Sequence, residues 1–247
     1  MNEVSGKATL CVAGGLTAAA ALAAAAYLAW LPDVSELKAR NPTTTRYTAI
    51  YARRMARQGQ KAGTAMRWVP LGDISPHLVR AVLIAEDDRF WRHRGVDWNE
   101  VRLAYQEGRR GGRRRGASTI SQQLARNLYL SPEKSVGRKL REVLIARHLE
   151  RTLGKERVLE IYLNVVEWGE GVFGAEAAAR TYFDKPAGDL TPEEAVSLAA
   201  ALPSPYDRNP DVDPDERLVK LRSVYLGRLL KEIGPWPPPV QGEGFNP

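Results

Sequence analysis

With 247 residues, 44% of them hydrophobic, the chain can hold one domain of roughly 200 residues plus a tail or anchor, and global disorder is excluded. Its net charge of +7 suits an anionic partner (phosphate groups, a membrane surface or nucleic acid), with a solvated basic surface as the plainer reading. The single cysteine, Cys11, excludes an intrachain disulfide framework and a thiolate zinc site, and the three histidines (His77, His93, His148) stand at no ligand spacing.

Residues 1–7 form a short polar tail. From Ala8 to Leu31 no charged residue occurs in 24 positions. A helix of that length spans about 36 Å, enough to cross a bilayer. Tyr27 and Trp30 sit near one end, where interfacial aromatics are expected. The small residues Ala24-Ala25-Ala26 leave a cleaved signal peptide as the alternative, but the span is long for one, and a retained transmembrane helix is the preferred reading. After the span come Lys38, Arg40, Arg46, Arg53, Arg54, Arg57 and Lys61, against Lys7 alone before it, so charge by itself keeps the remainder cytoplasmic.

Residues 32–67 read as a basic connector with some helix, and beyond them the pattern is mostly α. Ser75-Pro76 has the form of an N-cap with proline at the first helical position. Thr119–Gln122 and Thr191–Glu194 fit capping boxes. Further helices are expected near 136–152, 155–166, 174–181 and 213–233, and no alternating strand of useful length is visible. The loop 107–117, EGRRGGRRRGA, is strongly basic, and residues 235–247 read as an irregular tail rich in proline and glycine.

Two glutamates occupy unusual positions. In SPHLVRAVLIAEDDRF, the apolar stripe Val79, Val82, Leu83 continues at i+7 into Glu86. A carboxylate there faces the core, where burial raises its pKa and suits it to proton transfer; a buried ion pair with Arg89 or another arginine accounts for the pattern equally well. Glu142, in RKLREVLIARHLE, has Ile145, Ala146 and Leu149 on its own face and Arg138 and Lys139 one turn earlier. Ordinary pairing on a helix surface is the simpler account, although two carboxylates flanking a basic cleft would suit glycosyl chemistry. Between them lies GASTISQQLARN. Ser118, Gln122 and Arg126 recur at i+4 and are expected on one face of a helix capped by Thr119. Its N-terminus, with Arg126 and the downstream Lys134, Arg138 and Lys139, suits an anion, and the Gln122 and Gln123 amides suit sugar hydroxyls. The pattern fits a sugar attached to a phosphate; a polar exposed helix is the competing reading.

Taken in order, EDDRFWRHRGVDW, GASTISQQLARN, RKLREVLIARHLE, VLEIYLNVVEWGEGVFGAEAAA and LTPEEAVSLAAALPSPYDRNP resemble the five motifs of the peptidoglycan glycosyltransferases, glycosyltransferase family 51, over about residues 68–210. Only 37 residues follow Pro210, too few for a transpeptidase domain, so the likeness is to the monofunctional branch rather than to the bifunctional penicillin-binding proteins. The resemblance implies a lysozyme-like, two-lobed fold (globular head plus jaw), with the glycosyltransferase domain over 68–234 and the connector 32–67 contributing to the jaw. It also implies an N-terminal transmembrane helix and an exported catalytic domain on the outer face of the bacterial cytoplasmic membrane, against the charge-based topology. The basic stretch after the anchor would then rest on anionic lipid.

The implied reaction joins lipid II units to a growing glycan strand with inversion, releasing undecaprenyl pyrophosphate. By resemblance Glu86 is the general base. Glu142 acts near the donor pyrophosphate, by ordering basic side chains or through a divalent cation, Mg or Mn, for which it is the candidate ligand. Ser118, Thr119, Gln122 and Gln123 match donor-site polar positions, and Arg126, Lys134, Arg138 and Lys139 phosphate-binding ones. Arg126 stands where the family often has lysine; arginine keeps the charge and can grip phosphate bidentately. Phe90, His93, Gly95 and Asp97 are expected to shape the site, Arg102 is the nearest match to a further arginine, and Glu160, Asn164, Gly169, Gly171 and Gly174 are expected to be structural. No organic cofactor and no nucleic acid are implied; proteins of a cell-wall synthesis complex are candidate partners. A glycan hydrolase and a membrane-tethered basic binding module with RRGGRRR as its contact are the alternatives, the first having no use for the cations after Gln123 and the second none for Glu86.

Overall fold

A computed structural model describes residues 22–23, 25–27, 30–63, 66–109, 116–212 and 214–231. The span 8–31 falls mostly outside these, as do residues 110–115 of the basic loop and the tail 235–247. No helix among the described residues is long and apolar enough to cross a membrane.

The protein is mostly helical. In chain order the helices are α1 (Arg46–Arg57), α2 (Pro76–Glu86), α3 (Trp98–Arg109), α4 (Ile120–Tyr129), α5 (Val136–Leu153), α6 (Lys155–Val165), α7 (Ala175–Phe183), α8 (Pro192–Ala201), α9 (Pro205–Arg208) and α10 (Glu216–Lys231). Between α6 and α7 two short strands, β1 (Glu167–Gly169) and β2 (Val172–Phe173), pair antiparallel with Glu167 opposite Phe173. At two and three residues they are too short to produce alternation, which is why the sequence pattern passes over them.

Helices α2, α8 and α10 pack on one another, and so do α4, α5 and α6, with α1 laid against α4. Leu78, Val79 and Val82 of α2, Leu124 of α4, Ile145 and Leu149 of α5 and Leu159 of α6 are fully buried in one core. Each contributes about 1.5–3 kcal/mol of hydrophobic burial. Both expected capping boxes form: Thr119 accepts from Gln122 N, whose side chain accepts from Thr119 N, and Thr191 pairs with Glu194 in the same way. Ser75 does not cap α2. Its hydroxyl donates to Leu190 O at 2.9 Å and ties the helix start to the α8 side instead.

Segment 32–57, expected as a connector, is packed onto the domain. Val34 is fully buried, Tyr51 meets the Phe173 ring edge-on, and Arg157 of α6 donates to Leu37 O and Arg40 O. The residues expected to be structural act so. Asn164 accepts from Val69 N and donates to Val69 O, both at 2.8 Å, and Glu160 accepts from Leu71 N, so α6 fixes the strand-like entry to α2. At Gly174, φ is +87° and a Cβ would lie 2.5 Å from Asn164 O. Only glycine fits this approach of the hairpin exit to α6.

Candidate active site

A cleft of about 590 Å³ opens between the two helical groups. Its walls are the C-terminal end of α2 with the following loop, residues 116–119 with the first turns of α4, Leu202 and Pro203 after α8, and Tyr225 and Arg228 of α10.

Glu86, the last residue of α2, is half-buried here. Its apolar stripe behaves as the spacing predicts, with Val79, Val82 and Leu83 buried. The partner is not Arg89, which faces Asp97 at 3.4 Å. Instead Gln123 Nε2 donates to Glu86 Oε2 at 2.6 Å, and the buried Tyr162 hydroxyl donates to Gln123 Oε1 at 3.1 Å. Burial pushes the Glu86 carboxyl above the usual carboxylate range, against the opposing pull of the Gln123 hydrogen bond and the Arg126 charge.

The α4 N-terminus is already occupied by an anion belonging to the protein. Asp87 Oδ2 accepts from Ile120 N at 3.0 Å, and the same carboxylate meets His93 Nε2 at 3.0 Å. Behind His93 lie Lys155 and Glu150, the latter also accepting from Ser121. Lys155 sits 4.2 Å from the Phe90 ring centroid, and burial lowers its pKa despite the Glu150 charge. Phe90, His93 and Asp97 thus support the site rather than face it alone: Asp97 caps α3 through Asn99 N and Glu100 N. Gly95, at φ +80°, lets the loop lie on Arg147, whose backbone N would be 2.9 Å from a Cβ.

Glu142 is fully buried. Ordinary surface pairing therefore does not describe it. Arg138 Nη1 donates to Glu142 Oε2 at 2.7 Å, Lys139 donates to Oε1, and the Lys139 ammonium also donates to Ser118 Oγ at 2.9 Å. Ser118 lines the cleft, so Glu142 anchors two cations directly behind its wall. Both carboxylate oxygens are taken by cations, and no group of three or more His, Cys, Asp or Glu side chains suited to a metal occurs among the described residues.

The structure brings Glu86, Ser118, Thr119, Gln123 and Arg126 to the cleft, sets Lys139 behind Ser118, and joins Lys139 and Arg138 through Glu142. It does not bring Gln122 or Lys134. Gln122 is buried and spends its carboxamide on the capping box, and Ser118 precedes the helix, so the shared face expected for Ser118, Gln122 and Arg126 does not form. Lys134 is exposed on the turn before α5, and Arg102 is exposed on α3. The described walls are also less basic than expected: Glu86, Asp87, Asp88, Asp97 and Glu100 stand against Arg89, Arg126 and Arg228. Tyr225 and Arg228 are wall residues that the sequence reading missed. Their i, i+3 spacing in an amphipathic helix was visible, but where α10 docks was not; Arg228 meets Asp88 at 2.8 Å across the cleft edge.

A half-buried carboxylate with a raised pKa thus lines a polar cleft, with the Lys139 ammonium held behind its Ser118 wall. The transglycosylase family profile matches residues 52–229. The chain is 48% identical over 172 residues to the biosynthetic peptidoglycan transglycosylase of Dechloromonas aromatica, covering 68% of this chain and 74% of that protein. It is 45% identical over 207 residues to that of Nitrosomonas eutropha (82% and 84% covered), and 51% identical over 149 residues to that of Rhodospirillum centenum (60% and 64%). The chain belongs to the transglycosylase family.

Proposed function

We propose that this chain is a peptidoglycan glycosyltransferase that polymerises lipid II into glycan strands, with Glu86 as general base. The observation that carries the reading is the position of Glu86: half-buried, raised in pKa, and open to a cleft whose Ser118 wall is backed by Lys139. In the reaction, Glu86 takes the proton of the acceptor sugar's hydroxyl. The freed oxygen attacks the donor's anomeric carbon, and the bond from that carbon to the diphosphate breaks with inversion. Undecaprenyl pyrophosphate leaves, and no glycosyl-enzyme forms.

Arg126 in the cleft and Lys139 at Ser118 meet the charge that develops on the departing diphosphate. Glu142 touches no reacting atom. It holds Arg138 and Lys139 in place at fixed geometry, so they need little reorganisation as charge builds.

The same reading gives a lysozyme-like, two-lobed domain. Helix α3 buries none of its residues and exposes Trp98 and Tyr105. The reading also makes the protein a single-pass protein of the bacterial cytoplasmic membrane, with its catalytic domain on the outer face and the strand, the lipid carrier and wall-synthesis proteins as partners.

The test is product analysis with purified lipid II and the full-length chain. The expected products are glycan polymer of inverted configuration and one undecaprenyl pyrophosphate for each bond made. Free disaccharide released from preformed glycan, with no polymer, would indicate a hydrolase instead.

A further inference from the structure

The Glu86–Gln123–Tyr162 chain runs from the cleft into the core, across three helices. A carboxamide is nearly symmetric in shape, so its orientation is set by what its neighbours can donate and accept. Glu86, when ionised, only accepts. The Tyr162 hydroxyl is fully buried, and its one hydrogen bond among the described residues goes to Gln123 Oε1. Were the amide reversed, the tyrosine proton would lose its acceptor in a site without water access, and the carbonyl oxygen would face the carboxylate. A reversed amide would suit only the protonated form of Glu86.

We propose that Tyr162 is a positioning residue for the base: its hydroxyl locks the Gln123 carboxamide with the NH₂ group toward Glu86, and so favours the ionised, proton-accepting carboxylate. This rests on the assignment of Glu86 as the base and adds to it a residue on a different helix, α6, for which the motif resemblance gave no role. Besides Gln123, Glu86 feels Arg126 from α4, Asp87 on the adjoining loop and Tyr225 from α10, and the other charged groups lining the cleft are Asp88, Arg89, Asp97, Glu100 of α3 and Arg228 of α10. None of these is altered when the tyrosine hydroxyl alone is removed.

The experiment is the pH dependence of kcat/KM for lipid II polymerisation by the full chain, wild type beside Tyr162→Phe. An ionised base makes the rate rise with pH through the Glu86 pKa. Loss of the lock raises that pKa, so the acid limb moves to higher pH, by about half a unit to one unit for one hydrogen bond. On the alkaline plateau the variant should recover to near the wild-type rate. Gln123→Leu should shift the limb in the same direction, and adding Tyr162→Phe to it should shift the limb no further, because the tyrosine acts through the amide. A uniform loss of rate at every pH would assign Tyr162 to packing and overturn the proposal. So would an unmoved acid limb, or additive shifts in the double variant. If Tyr162→Phe does not fold, an unmoved limb in Gln123→Leu overturns it alone. Failure of the base assignment is distinguishable, since wild type would then show no acid limb that Glu86→Gln abolishes.

Discussion

At Glu86, the burial that costs solvation energy is also what suits the carboxylate to the base role proposed for it. An exposed glutamate is ionised well below neutral pH and takes protons weakly; one raised toward neutrality transfers them with better driving force. Among the described residues the raised pKa has one counterweight within hydrogen-bond reach, the Gln123 amide. The acid limb of the wild-type pH–rate profile should accordingly lie above the ordinary carboxylate range, with activity rising as pH rises through it; a limb at or below that range would contradict the geometry. Glu142 serves differently. Glu142→Gln leaves Arg138, which is mostly buried, without its anion. Melting should reveal a loss of about 2–3 kcal/mol, kept below the full cost of breaking a buried pair because Lys139 still reaches water. Polymerisation should fall by about 10²-fold as the two cations lose their fixed positions. The placement of Glu86 against an apolar stripe could be read from the sequence; for Glu142 the spacing favoured ordinary surface pairing, and only the resemblance singled it out. That Glu142 is fully buried could not be read there, because i−4 and i−3 cations occur as readily on exposed helices.

At the level of elements, capping chemistry decided which polar residues reach the cleft. Thr119 holds α4 twice, through its capping box and by donating to Gly95 O at 2.6 Å. Thr119→Ala should therefore cost about 2 kcal/mol in denaturant unfolding, more than the ~1 kcal/mol typical of a cap alone. The box was legible from the sequence; its consequence, that Gln122 cannot also serve the cleft, is equally a matter of spacing, since the N3 side chain must turn back to the cap. Helix limits near 136–152 and 155–166 were legible because Gly154, at φ +79°, separates two helical patterns. The hairpin was not, although its glycines marked a tight turn. Gly174→Ala places a Cβ against Asn164 O in a left-handed backbone, and should destabilise the fold by about 2 kcal/mol or more, measured by thermal melting.

For the whole molecule, the cleft exists because two helical groups meet, and residues about 140 positions apart in sequence, Asp88 and Arg228, close its edge. Such docking leaves no local trace in composition or period, which is why α10 was visible as a helix but not as a wall. The exposed Asp88–Arg228 pair contributes little to stability on its own, within about 1 kcal/mol. The basic surplus of the chain is likewise a property of the whole: the described cleft walls carry more carboxylates than guanidiniums, and the cations that back the site stand behind Ser118.

The measurement that bears most directly on this account is glycan polymerisation from purified lipid II by the full-length protein, wild type beside Glu86→Gln, with both shown to be folded. The amide keeps the size of the side chain and removes its capacity to take a proton. The account predicts polymer from the wild type and a loss of at least about 10²-fold in the variant. Polymerisation by Glu86→Gln at near wild-type rate would contradict it.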